Sequence, residues 1–171
     1  LGAAYVLRAR SPQVRRIGLT SAVHVGFVEK TGLYDAVLGY DAIDALAGVG
    51  AAVLIDFAGN AGLLHAVYAA LPERVAACLR VGVTHHDTGS ETGLLPGPKP
   101  VWFFAPDAAT ALIGEIGQDG FNAAVAAEWS GFVATAAGLV QVEHGDGVEA
   151  LQRIWRTQVA GQAAPDTGFV V

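Results

Sequence analysis

Cysteine is almost missing from this chain. Cys78 stands alone, which excludes an internal disulfide and any thiolate cluster, and its neighbours Ala76, Ala77 and Leu79 place it in an apolar strand candidate where a lone cysteine serves as a small core hydrophobe. Basic residues are scarce too. Ten Lys and Arg face sixteen Asp and Glu, giving a formal charge of −6 and an isoelectric point near 5.2. They are scattered instead of forming the stripe by which a domain grips nucleic acid, so nucleic acid is not expected as a partner. Long hydrophobic runs are absent despite 53% apolar residues and a mean hydropathy of +0.44. None reaches the roughly 18 to 20 uninterrupted residues that cross a bilayer, so no membrane association is expected. Near Leu1 the basic residues Arg8, Arg10, Arg15 and Arg16 follow the apolar stretch instead of preceding it, the reverse of a secretory signal. The expected compartment is the reducing cytoplasm.

What is present reads as an α/β protein. At 171 residues with 22 glycines the chain is long enough to bury a sizeable core. Ala51 to Asn60 is an unbroken apolar run closed by an acid and a glycine turn, the pattern of a strand buried on both faces of a parallel sheet. A helix follows it, with Leu63, Leu64, Val67, Tyr68 and Leu71 at helical spacing before Pro72. Similar units precede and follow. Strands are predicted at Arg16 to Thr20, Ala36 to Leu38, Arg74 to Val83 and Val101 to Ala105, with helices from Ala22 to Lys30 and from Ile43. This alternation predicts a doubly wound, Rossmann-like parallel sheet. Further helices are predicted over Asp107 to Ile116 and Phe121 to Ala136, the second with Phe121, Val125, Trp129, Phe132 and Val133 as a core stripe. A short strand at Leu139 to Val142 and an Asp146/Glu149 capping box opening a helix come next. The last strand, Gly168 to Val171, has no evident mate.

Few residues suggest chemistry by themselves. His85 to Pro100 is a loop rich in glycine and proline, either a functional flap or a solvated connection. Its His85, His86, Asp87 and Glu91 invite a metal reading, but adjacent residues of an extended segment point to opposite sides, so no metal site is expected. His65 and His144 read as surface or satisfied histidines. No nucleophile triad or paired carboxylate stands out, and catalytic residues stay unassigned.

Five stretches carry a family resemblance: Ile17-Gly-Leu-Thr-Ser21, Phe27-Val-Glu-Lys-Thr-Gly-Leu-Tyr-Asp35 with Tyr40-Asp41, Val53-Leu-Ile-Asp-Phe-Ala-Gly59, Val81-Gly-Val-Thr84, and Gly161 through Pro165 to Gly168. In their order and spacing the sequence resembles the cofactor domain of the medium-chain dehydrogenase/reductase superfamily, in its zinc-free, quinone-oxidoreductase-like branch. The resemblance implies an NADP(H)-dependent oxidoreductase of quinone or enone reductase type acting on a small molecule. The first strand and glycine-rich turn of such enzymes are not found, and Leu1 would fall in the helix after that turn. The expectation is therefore the C-terminal part of a longer protein that does not fold well alone. Residues 1–137 would be the dinucleotide-binding domain, and residues 138–171 a return segment packed on an upstream catalytic domain.

The strand ending at Thr20 corresponds to the one whose terminal Asp or Glu binds the adenosine ribose hydroxyls of NAD. Here Thr20, Ser21 and His24 stand without an acid, which favours the 2′-phosphate of NADP(H) over NAD(H); Ser21 as a plain helix cap is compatible with the same residues. Tyr40 matches a tyrosine beside the adenosine, or it caps the core edge. By resemblance Ala58, Gly59, Gly82, Val83 and Thr84 approach the ribose and nicotinamide, although Gly59 also reads as a tight-turn residue. Relatives pair as homodimers through the edge strand matching Val101 to Phe104. Two alternatives remain beside this one: a non-catalytic nucleotide-binding or interaction domain, and a methyltransferase. The latter fold is also doubly wound, but its ribose-binding acid is missing here.

Overall fold

A computed structural model of the chain describes residues 1–82 and 93–171. It is a mixed α/β structure with parallel strand pairing, and it divides into two compact units, Leu1–Val37 with Ala123–Val171, and Leu38–Asn122. The expected flap, with His85, His86, Asp87 and Glu91, lies in large part outside the described residues.

The second unit carries β3 (Ala52–Asp56), α3 (Ala61–Ala70), β4 (Val75–Arg80) and β5 (Val101–Trp102). The three strands form a sheet in the order β3-β4-β5, each pair parallel. A 3-10 helix at Tyr40–Gly48 packs against α3 and buries Ile43 and Leu46. The core gathers Leu64, Val67 and Tyr68 of α3 with Leu71, Val75 and Cys78. Tyr68 has no exposed surface, meets the Cys78 thiol, and donates its hydroxyl to the Pro98 carbonyl at 2.5 Å.

One expectation is corrected here. The register sets Leu54 opposite Cys78, on the covered side, which turns Val53 and Ile55 to the other side, where they are 59% and 40% exposed. The apolar run therefore forms a strand at the sheet's edge, half-buried on one face and exposed on the other.

The first unit holds α1 (Gly2–Arg10), β1 (Ile17–Thr20), α2 (Val25–Lys30), the start of β2 (Ala36–Gly39), the later turns of α4 (Ala105–Ala136), β6 (Gln141–His144), α5 (Gly147–Val159) and β7 (Thr167–Val170). β1 and β2 form a two-stranded sheet. Before it, the Asp35 carboxylate accepts the Arg16 backbone amide at 2.7 Å and Nη2 at 2.8 Å, hydrogen bonds that hold its carboxyl below the usual range. α1 lies on α4 through the edge-to-face pair Tyr5–Phe132 and the Arg10–Glu128 ion pair. Gly131 permits that approach, because a Cβ there would collide with the Tyr5 hydroxyl.

α4 runs through the predicted gap but breaks at Gly117, whose φ of +74° is left-handed. Its stripe is not core. Val125, Trp129 and Val133 are exposed, because α1 covers only the Phe132 side. The C-terminal strand does find a mate: β7 pairs in parallel with β6, and α5 makes the crossover. Asp146 takes the N-cap position of α5 without a side-chain cap hydrogen bond, so the predicted capping box does not form. Among the described residues no helix is long and apolar enough to cross a membrane.

Candidate functional site

The residues predicted from the sequence fall into two clusters, one in each unit. In the second unit the register ends three strands together, pairing Asp56 with Arg80 and Arg80 with Trp102. Ligands of parallel α/β sheets sit beyond such carboxyl ends. Asp56 Oδ1 accepts the Gly59 amide at 2.9 Å, which folds Phe57–Asn60 into a tight turn with Gly59 at φ +65°. Asn60 then caps α3 by accepting the Leu63 amide at 3.0 Å. Asp56 Oδ2 accepts from Arg80 Nε at 3.2 Å, and only 10% and 8% of the two side chains remain exposed. The Arg80 guanidinium carbon lies 5.9 Å from the centre of the Trp102 ring, within cation–π range. One ion pair thus ties together the ends of β3, β4 and β5.

Gly82 belongs to this rim. The amides of Val81 and Gly82 both donate to the Asp56 carbonyl, at 2.8 and 3.4 Å, and a Cβ on Gly82 would stand 3.2 Å from the Phe57 carbonyl oxygen. Gly82→Ala is accordingly expected to lower stability by about 1–2 kcal/mol in urea unfolding, since a backbone carbonyl must move to admit the methyl. Ala58 is half-buried and Gly59 buried beside it. Tyr40 belongs here as well: burial and then the Asp56 charge push its phenol up. It also lines a groove of about 410 Å³ with Asp41, Asp44 and the small α3 residues Ala66, Ala69 and Ala70. Two carboxylates make that groove a poor seat for a phosphate but leave it open to a neutral ring.

In the first unit β1 ends at Thr20, and the extended Ser21 (φ −66°, ψ 150°) leads into a 3-10 turn, Ala22–His24, ahead of α2. The His24 amide donates to the Ser21 carbonyl at 2.9 Å, and Ser21 Oγ lies 3.0 Å from His24 Nδ1. Ser21 makes no side-chain cap hydrogen bond. The hydroxyl is therefore engaged with the imidazole, and Thr20, Ser21 and His24 stand half-buried at one strand end. Val83 and Thr84 lie outside the described residues. Among the described residues no group of three or more His, Cys, Asp or Glu is arranged to hold a metal.

A family model described as "Protein of unknown function (DUF2855)" matches residues 1–164. The chain belongs to the DUF2855 family. No curated protein and no solved structure matches it significantly. The match covers both clusters of this DUF2855 chain. Arg80 and Trp102 escaped the sequence reading as site residues, although an arginine closing an otherwise apolar strand was the available signal. Its meaning depends on a register that joins positions 24 residues apart.

Proposed function

We propose that this DUF2855 chain supplies the cofactor-binding part of an NADP(H)-dependent oxidoreductase of quinone or enone reductase type, built on a Rossmann-like doubly wound sheet. The observation that carries the cofactor preference is the Ser21–His24 pair at the end of β1, with Thr20 beside it and no carboxylate between Thr20 and His24. An acid there would accept from the ribose hydroxyls of NAD and repel a 2′-phosphate; hydroxyls and an imidazole offer a phosphate donors. The parallel order β3-β4-β5, with glycine turns beyond the strand ends, supports the nucleotide reading. When bound, the cofactor supplies the hydride; within the second unit, Ala58, Gly59 and Gly82 are the residues we assign to the nicotinamide end.

His24→Ala tests this selectivity. A partly solvated contact of this kind contributes on the order of 1 kcal/mol, so NADPH affinity of the full-length protein should fall about five- to tenfold. NADH affinity should change little. Equal losses for both cofactors, read by fluorescence titration, would point to a structural role for His24.

The proposal extends to a homodimer joined through Val101 to Phe104. β5 is the outer strand of its sheet, and Val101, Trp102, Phe103 and Phe104 are all exposed, an apolar edge that invites a second copy. Phe103→Lys should give monomer or aggregate by light scattering; an unchanged dimer would place the interface elsewhere.

One observation favours a second reading, an interaction domain without catalysis. The α5 stripe Val148, Leu151, Trp155 and Val159 is exposed along its length, as a docking helix would be. Cofactor binding with no turnover in the full-length protein would favour that reading.

A further inference from the structure

The Asp56–Arg80 pair occupies a costly position. Two charged side chains at least nine-tenths buried gain stability only when their geometry is good and their remaining polar atoms are used. Here the pair has a second task besides joining β3 to β4. Asp56 divides its oxygens, Oδ2 to Arg80 Nε and Oδ1 to the Gly59 amide. Arg80 in turn rests on the Trp102 ring, and its carbonyl accepts the Phe103 amide at 2.9 Å. The rotamer of Asp56, and through it the Phe57–Asn60 turn, is thereby fixed from the neighbouring strand. We infer that Asp56 and Arg80 are positioning residues that set the Phe57–Asn60 turn as a ligand rim at the carboxyl end of the sheet; its occupant, the dinucleotide, rests on the function proposed above.

A second local bond in the same turn supplies an internal control. The Leu63 amide is held by Asn60 Oδ1, with no part played by Arg80 in that bond. The measurements are amide exchange at Gly59 and Leu63, and NADPH titration, on the full-length protein and its Arg80→Gln, Arg80→Lys and Asp56→Asn variants. Arg80→Gln should speed Gly59 exchange about tenfold relative to Leu63 and weaken NADPH binding by a similar factor, the range expected for a hydrogen bond to a charged group. Arg80→Lys restores a cation and should recover part of both. Asp56→Asn offers one acceptor where two are used, so an amide donor must face either the Gly59 amide or Arg80 Nε, and Gly59 exchange should speed relative to Leu63 much as in Arg80→Gln. Equal acceleration at Gly59 and Leu63, or weaker NADPH binding with Gly59 undisturbed, would overturn the inference, because a merely stabilising pair acts on both amides alike. If the unmodified protein binds no NADPH, the proposed function fails while the exchange data still decide the positioning role: selective loosening of Gly59 upholds it and uniform loosening refutes it.

Discussion

Arg80→Ala is expected to lower the unfolding free energy by about 3–5 kcal/mol, because it strands the Asp56 carboxylate in a site where only a tenth of its side chain meets water. The loss belongs to the uncompensated charge more than to the ion pair itself. Removing both partners, as in Asp56→Ala with Arg80→Ala, should therefore cost less than the sum of the single changes. The expected record is a large fall in the urea midpoint for Arg80→Ala and a positive coupling in the double-mutant cycle. Additive single and double effects would mean that water reaches the pair and that its burial is not what matters.

Tyr68→Ala should be as damaging, at about 3–5 kcal/mol, since it empties the most completely buried aromatic position of the second unit. Tyr68→Phe separates the hydroxyl from the ring and should cost about 1–2 kcal/mol through the lost bond to Pro98. The phenol also predicts a pH window. Burial, and then the neighbouring Cys78, push its pKa up to about 12 from 10. The folded value is the higher one, so the neutral phenol's contribution is fully present below about pH 10 and is lost as pH rises toward 12. Urea midpoints of the unmodified protein should fall between pH 9.5 and 11.5 more steeply than those of Tyr68→Phe. Parallel curves would mean that Tyr68 does not report the core.

Much of this was legible in the residues. Apolar runs ending in an acid or glycine located β3 and β4, and the spacing Leu64, Val67, Tyr68, Leu71 located α3, because burial on one helical face leaves a period that needs no partner to be read. Gly32 and Gly161, just past the ends of α2 and α5, take positive φ as helix-ending glycines do. What stayed hidden depended on contacts distant in sequence. Whether Val53 and Ile55 are covered follows from sheet order, and an unbroken apolar run reads alike in a central strand and in an edge strand. The β6–β7 pairing joins segments separated by all of α5, so the last strand looked unmated. Trp129 carried the signature of a core stripe, yet a hydrophobic period says only that a face is apolar.

The site divides in the same way. Ser21 and His24 were readable because three positions in one turn must be neighbours, and the structure adds that the hydroxyl meets the imidazole instead of capping the helix. Asp56 was visible as the acid that closes a strand. Its partner was not, since the Arg80 guanidinium becomes part of the rim only once β3 and β4 pair in the observed register.

The most direct measurement is the equilibrium affinity of the full-length protein for NADPH and NADH, followed by energy transfer from tryptophan to the reduced nicotinamide. The phosphate-accepting role proposed for the β1 strand end predicts saturable binding of both, with NADPH the tighter by about five- to tenfold and the difference shrinking as salt rises. No saturation with either cofactor, or tighter binding of NADH, would contradict it.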